Sequence, residues 1–404
     1  MGADERGLAA LRRVRDEDRP ADPGRRARAN LTRRATAGGL AVGFAAGWNL
    51  SAVGAVATRE SHAYGVGLAT IGLFVTVQFV LHMAMQIPGG RAADRWGARR
   101  STSLGLALLV LGNAIALPAA TPALGFLGRA VVGIGTGLSF IGGSDYIRAN
   151  GGSPTFQGVY GGSSVLAPGV ALALVPGFAR WTGFRAPYLS TIAVVVLCGA
   201  LLALAPEGSR TERRHAGEAF DWSFLRDSRL YRLAAIHSFS FGFSVIVGNW
   251  VVTLLEHHGQ SKEAAAAVGS LTLLLGFFTR IAGGAMLRRV DASRMVAASL
   301  VLGGAAGVVL ALPLPLAGYV TAATVLGLAA GIPFAPAFTG AAAARPDAPG
   351  AAVGFVNAWA ALVIVAGTPL VGLTFALPGD GRIGFVALGA VAALASVATP
   401  RPAR

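Results

Sequence analysis

The sequence is short of charge and almost without cysteine. Only 13% of its 404 residues are Asp, Glu, Lys or Arg, about half the roughly 25% of a soluble globular domain. Mean hydropathy is +0.60, so a water-soluble fold is excluded. The single cysteine, Cys198, lies in an apolar run, which rules out an intramolecular disulfide and leaves no companion for a thiolate metal site. Carboxylates number 19, and every one falls in a tail, a loop or a span end. Lysine occurs once, at Lys262. No G-x-x-x-x-G-K-[ST] phosphate loop is present, and no Ser/His/Asp or metal-ligand constellation survives the apolar patterning, which argues against a nucleotide-driven pump or an enzyme. No metal and no cofactor is expected.

What is abundant is apolar helix. A bilayer core about 30 Å thick takes ~20 residues of helix to cross. Runs of that kind are centred near Gly47, Gln78, Leu109, Gly137, Gly169, Val196, Ile246, Leu275, Gly304, Gly327, Val365 and Ala390. The pattern predicts an all-α membrane protein with twelve transmembrane helices in two groups of six. The expected divisions are an Arg-rich disordered cytoplasmic tail (residues 1–34), a first bundle (35–206), a polar cytoplasmic linker (207–230) and a second bundle (231–400). The tail lacks the apolar core of a signal peptide.

Net charge is +15, but the basic residues follow the topology rather than a nucleic-acid footprint. With both termini cytoplasmic, the inner segments hold 27 of the 34 basic residues and the outer loops hold five (Arg59, Arg180, Arg185, Lys262 and Arg382). Arg129 and Arg280 fall within spans. This asymmetry places both ends in the cytoplasm under the positive-inside rule. The expected setting is a cell membrane, with the lipid bilayer and a small-molecule or ion substrate as partners, no nucleic acid, and a monomer.

Between spans 2 and 3 stand Gly90, Asp94, Arg95, Gly97, Arg99 and Arg100. This spacing resembles the loop motif of the major facilitator superfamily, G-x-x-x-D-R-x-G-x-[RK]-[RK]. Gly284, Arg288, Arg289 and Asp291 form a weaker echo after span 8, which suggests an internal repeat. In span 4, Arg129, Gly133, Gly135 and Gly137 are similar to the family's R-x-x-x-G-x-G pattern. Span 5 matches the antiporter signature only in part, with Ala167 before Pro168 and with Ala171 and Leu172 where glycines are expected.

The resemblance implies two six-helix bundles around a central cavity and a substrate moved by alternating access. It implies a cytoplasmic latch of Gly90, Asp94, Arg95, Gly97, Arg99 and Asp145, in which Asp94 caps a second-half helix while Asp145 pairs with Arg95 or Arg99. Arg129 is the coupling candidate by family analogy, and a structural pairing with Glu60 just outside span 1 is the alternative reading. Polar groups within spans are costly and so are candidates for binding: Trp48 and Asn49, Gln78 and His82, Asn249 and Trp250, Arg280, and Asn357. Trp250 equally fits an interfacial aromatic belt, His82 a packed neutral histidine, and Arg280 snorkelling toward Arg288 and Arg289. His237 reads as interfacial. The segment Gly331 to Phe338 interrupts span 10 and suggests a gate.

The leading expectation is a secondary active transporter exporting an organic compound or drug. The alternative is uptake or exchange of a small anion, because the segment around Arg280 resembles that of nitrate/nitrite porters. In span 2, Gln86 stands where those porters carry a second arginine.

Overall fold

The computed structural model describes residues 23–207, 222–287 and 289–399; the expected tail and most of the linker lie outside them. Among the described residues the structure is helical, without strands. Twelve rods run in the expected order. Span 1 is Pro23–Ser51, which begins inside the segment expected to be a tail. Span 2 is Leu68–Ala84 continued by Gln86–Trp96, and spans 3 to 6 are Ala98–Ile115, Pro122–Ala149, Pro154–Thr182 and Ala186–Ala203. Span 7 is Ser228–His237, a π-helical turn Ser238–Phe243 and Ser244–His257. Spans 8 and 9 are Lys262–Met286 and Ala292–Leu310, and span 10 is Leu316–Ala330 followed by Phe334–Ala344. Spans 11 and 12 are Pro349–Leu373 and Arg382–Leu394. Among the described residues, eight stretches are individually long and apolar enough to cross a membrane, or nine when the bent pair in span 2 counts as one.

Local chemistry sets these boundaries. Proline occupies the first turn of spans 4, 5, 6 and 11, where its missing N–H costs nothing. Asp227, Ser261 and Asp291 cap spans 7, 8 and 9 by accepting from the backbone N–H groups of Arg229, Ala264 and Arg294. Gly97 turns the chain between spans 2 and 3 at φ 93°, a conformation side-chain-bearing residues avoid. Span 10 breaks as expected, with a turn over residues 331–333. Span 5 runs through Pro168 and Pro176 without ending.

The two halves meet along two seams, span 2 on span 11 and span 5 on span 8. Glycines make both seams tight at the end that carries the Arg-rich loops, called here the basic face. A Cβ on Gly90 would overlap the Gly350 carbonyl, and one on Gly354 the Gln86 carbonyl. A Cβ on Gly158 would overlap the Arg280 carbonyl, and one on Gly284 the Pro154 carbonyl. Such backbone approach is what small residues permit between membrane helices, where lipid gives no hydrophobic drive to associate.

Toward the opposite face the seams part. At 100° per residue, Gly158, Gly162 and Gly169 share one face of span 5 to within about 40°. Gly162 still touches Phe277, whereas nothing lies within 4 Å of Gly169. On the matching face of span 8, Ser270 is exposed and Leu273 is 38% exposed. Gly72, in the part of span 2 before its bend, also has no neighbour within 4 Å. The two halves therefore form a V, closed at the basic face.

Candidate functional site

The structure gathers the expected polar residues into separate groups. The first lies within the first bundle and is built around Arg129. Its guanidinium donates from Nη1 to Gln78 Oε1 (3.0 Å) and from Nη2 to Asn113 Oδ1 (2.8 Å). Asn113 donates to Asn49 Oδ1 (3.0 Å), and Gln78 donates to the Asn49 carbonyl (3.2 Å). Arg129 does not meet Glu60 directly. Its Cζ lies 5.7 Å from the centroid of the Tyr188 ring, and the Tyr188 hydroxyl donates to Glu60 Oε2 at 3.0 Å. Tyr64 hydrogen-bonds the same hydroxyl at 2.8 Å. A tyrosine thus bridges the pair expected from sequence. Glu60 is fully buried in the connection between spans 1 and 2, and its Oε1 has no hydrogen-bond partner among the described residues. Burial pushes this carboxyl up to about 7, with the Tyr188 hydrogen bond and the Arg129 charge pulling the other way.

A second group bridges the two halves. Thr136 in span 4 bonds His82 Nδ1 (3.0 Å), and Gln86 donates to the His82 carbonyl (2.9 Å). Across the seam, Asn357 donates to Gln86 Oε1 (2.8 Å), and His237 Nε2 meets Asn357 Oδ1 (2.9 Å). Because that amide oxygen only accepts, His237 carries its proton on Nε2. Among the described residues its buried Nδ1 has no partner. His237 is therefore not interfacial: it is wholly buried, packed against Phe241, Phe334 and Phe338. The sequence places it near the start of span 7, and packing within the second half brings it against span 11.

Arg280 lies beside this group at the span 5–span 8 seam. It does not snorkel. It is 3% exposed, donating from Nη1 to the Gly161 carbonyl of the other half (2.8 Å) and from Nη2 to the Ser240 carbonyl (3.4 Å). The guanidinium sits 4.7 Å from the Phe334 ring centroid. Among the described residues no carboxylate lies within ion-pairing distance of it. The break in span 10 presses here, since a Cβ on Gly331 would overlap Thr279 Oγ1 and crowd the Arg280 backbone.

Three expected binding residues lie apart from both groups. Trp48 is buried inside the first bundle, with Nε1 on Ser190 Oγ (3.4 Å). Trp250 donates to the Thr368 carbonyl (2.8 Å) and packs on Phe375. Asn249 is exposed on the face of span 7 turned away from the core of its own bundle.

At the basic face Asp94 caps span 11, accepting from the backbone N–H groups of Gly350 (2.9 Å) and Ala351 (3.0 Å). This is a carboxylate at a helix N-terminus, where the dipole favours it. Asp145 pairs with Arg148 three residues along its own helix (2.6 Å) rather than with Arg95 or Arg99. Arg99 donates to the Ala203 carbonyl and Arg95 is exposed. A local i, i+3 partner reaches Asp145 at less entropic cost than an arginine on another helix.

The residues that sequence reasoning missed are Asn113, Gln86 as a seam residue, His237 and Tyr188. Asn113 carried a signal, a lone amide in the apolar run of span 3. Tyr188 carried none.

A sequence profile described as Major Facilitator Superfamily matches residues 39–368. The chain belongs to the major facilitator superfamily. Solved structures agree on the fold. The E. coli fucose:proton symporter aligns with a TM-score of 0.73 at 15% identity, covering 91% of this chain and 97% of that one. A proton:xylose symporter bound to 6-bromo-6-deoxy-D-glucose gives 0.75 at 12%, covering 91% and 95%. The human organic anion transporter MFSD10 gives 0.71 at 17%, covering 91% and 99%. No curated protein matches the chain. A major facilitator chain is a multi-pass membrane carrier and not an enzyme. In this member of the superfamily the two halves meet through Asp94, the glycine seams and the Gln86–Asn357 amide bridge.

Proposed function

We propose that this major facilitator is a secondary active transporter of a small organic anion, moved by alternating access and coupled to protons through the Glu60–Tyr188–Arg129 group. One observation carries the substrate class. Arg280 places a full positive charge in the seam between the halves, compensated by carbonyl dipoles and an aromatic face but by no carboxylate. Keeping a bare cation within a membrane protein is costly, and such residues face substrate or ion pathways. An anion entering the crevice completes the charge balance. It also competes with Gly161 for the guanidinium, so binding loosens the seam that must open next. Phe334 under the Arg280 guanidinium, with Phe277 against Gly162 nearby, favours an organic anion over a bare inorganic one. The resemblance in fold to a human organic anion transporter is consistent with this class. This reading takes the organic class from the leading sequence expectation and the negative charge from its alternative.

On this reading the basic face is cytoplasmic, in a cell membrane, and the crevice opens to the outside. His82, Gln86, Asn357 and His237 form the floor of the crevice, and Asn249 lines its wall. Gly90 and Asp94 hold the cytoplasmic side shut, Gly97 shapes the turn after span 2, and Asp145 stays with Arg148 on its own helix. Arg95 and Arg99 support the turn.

The test is counterflow in liposomes against a panel of aromatic and aliphatic carboxylates, neutral sugars and organic cations. Carboxylates are the expected substrates of the parent, and Arg280→Gln abolishes their exchange while Arg280→Lys retains part. Equal exchange by Arg280→Gln, or a parent that moves only neutral or cationic solutes, overturns the proposal.

A further inference from the structure

Outside the transport pathway, the second bundle carries an apolar groove between spans 7, 11 and 12, with a volume of about 310 Å³. Its walls include Tyr231, Ala235, Trp359, Val391 and Ala395, and its floor is the π-helical turn with Phe239 and Phe243. Phe239 and Phe243 are each 2% exposed, whereas Val391 is 65% exposed. The groove is thus floored by the bundle core and open on the side away from it.

Depth and charge identify what fills it. From Tyr231 to Phe243 span 7 advances twelve residues, ~18 Å at 1.5 Å per residue. That matches the ~15 Å of one leaflet's hydrocarbon. Span 7 enters from the basic face and span 12 ends there, so the groove opens toward that face. Its mouth is aromatic, with Tyr231 packed edge-on against Phe355 (5.0 Å between centroids) and near Trp359 (5.8 Å). Aromatic side chains of this kind settle at headgroup level. The segment that opens span 7 holds Arg226, Arg229 and Arg232, all exposed. Asp227 satisfies Arg229 (2.9 Å). Arg226 and Arg232 have no hydrogen-bond or ion-pair partner among the described residues.

We propose that this groove is a specific site for an anionic phospholipid of the basic-face leaflet, with one acyl chain lying between spans 7, 11 and 12 and the phosphate held by Arg226 and Arg232. An apolar channel facing hydrocarbon does not stay empty, and the only guest the bilayer supplies at that depth is an acyl chain. The two free guanidiniums above it select the headgroup, because juxtamembrane arginines attract anionic lipid. The groove backs onto the turn that presents the Ser240 carbonyl to Arg280, so its occupant props a segment next to the seam.

The full chain in nanodiscs of phosphatidylcholine with an equal share of phosphatidylglycerol, released into detergent and weighed by native mass spectrometry, tests the site. The parent is expected to retain one phosphatidylglycerol in several-fold preference to phosphatidylcholine. Arg226→Gln with Arg232→Gln removes the preference but keeps a bound lipid. Ala235→Phe, which fills the groove, removes the bound lipid; Ala395→Leu serves the same purpose if the first variant fails to fold. Equal retention of the two lipids by the parent overturns the headgroup assignment. Retention of phosphatidylglycerol by a folded, groove-filled variant overturns the site.

Discussion

Replacing Asp94 with Asn weakens the closure of the basic face by a calculable amount. The carboxylate accepts two backbone hydrogen bonds, at 2.9 and 3.0 Å, from the first residues of span 11. Each is charge-assisted and worth about 1.5–3 kcal/mol. An asparagine keeps one acceptor and turns its NH2 group toward the other N–H, so one such bond is lost together with the charge at the helix end. The loss falls only on the closed state, because the bonds join the two halves and break when the face opens. A loss of about 1.5–3 kcal/mol moves the closed-to-open ratio roughly 10- to 150-fold. The assay is a spin–spin distance distribution between labels on Arg100→Cys and Pro346→Cys, both exposed on the basic face, in a Cys198→Ser background. Asp94→Asn is expected to move population from a short to a long distance and to abolish most transport while leaving membrane insertion intact. An unchanged distribution, or transport at the parent rate, refutes the reasoning.

Further outcomes follow from the same geometry. Glu60 holds its proton more tightly in the folded chain than in the unfolded one, with its pKa raised from 4.5 to about 7. Its contribution to stability is therefore complete below pH 4.5, falls by up to about 3 kcal/mol as the pH rises to 7, and is level above. The melting temperature of the parent should drop between pH 5 and pH 8 by more than that of Glu60→Gln; equal drops contradict the assignment. Asn357→Leu leaves Gln86 Oε1 and the His237 Nε2–H without partners, each costing about 1–3 kcal/mol. The melting temperature should fall, and the double variant with Gln86→Leu should recover part of the loss; no recovery contradicts a direct amide bridge. Gly158→Ala drives a methyl group into the Arg280 carbonyl, at a cost of about 1–3 kcal/mol. It should open the basic face in the same distance assay, and an undisturbed distribution counts against the seam.

Much of the fold is readable in the sequence because lipid simplifies the code. Each span announces itself as an apolar run, and the motif from Gly90 to Arg100 marks the boundary between spans 2 and 3. Asp94 is placed by that motif, and its partner across the seam follows from the helix that begins at Pro349. Side-chain partners were harder to read. Asp145 finds Arg148 on its own helix, and the Arg129–Glu60 connection runs through Tyr188, on a span with nothing to mark it. His237 looks peripheral because its position near the start of span 7 does not show that Asn357 of span 11 and the phenylalanines of span 10 enclose it. The glycines of the seams, Gly158 and Gly354 among them, are indistinguishable in sequence from Gly72 and Gly169, which touch nothing. Small residues permit contact without requiring it.

The central claim is that the halves are closed at the basic face and parted at the other, and thiol labelling with a charged, lipid-insoluble maleimide tests it directly. In the Cys198→Ser chain, reagent on the side opposite the basic face should modify Gly169→Cys and Leu273→Cys within minutes and leave Gln86→Cys and Gln157→Cys unreacted. Uniform labelling of all four positions, or protection of Gly169→Cys and Leu273→Cys, would contradict the account.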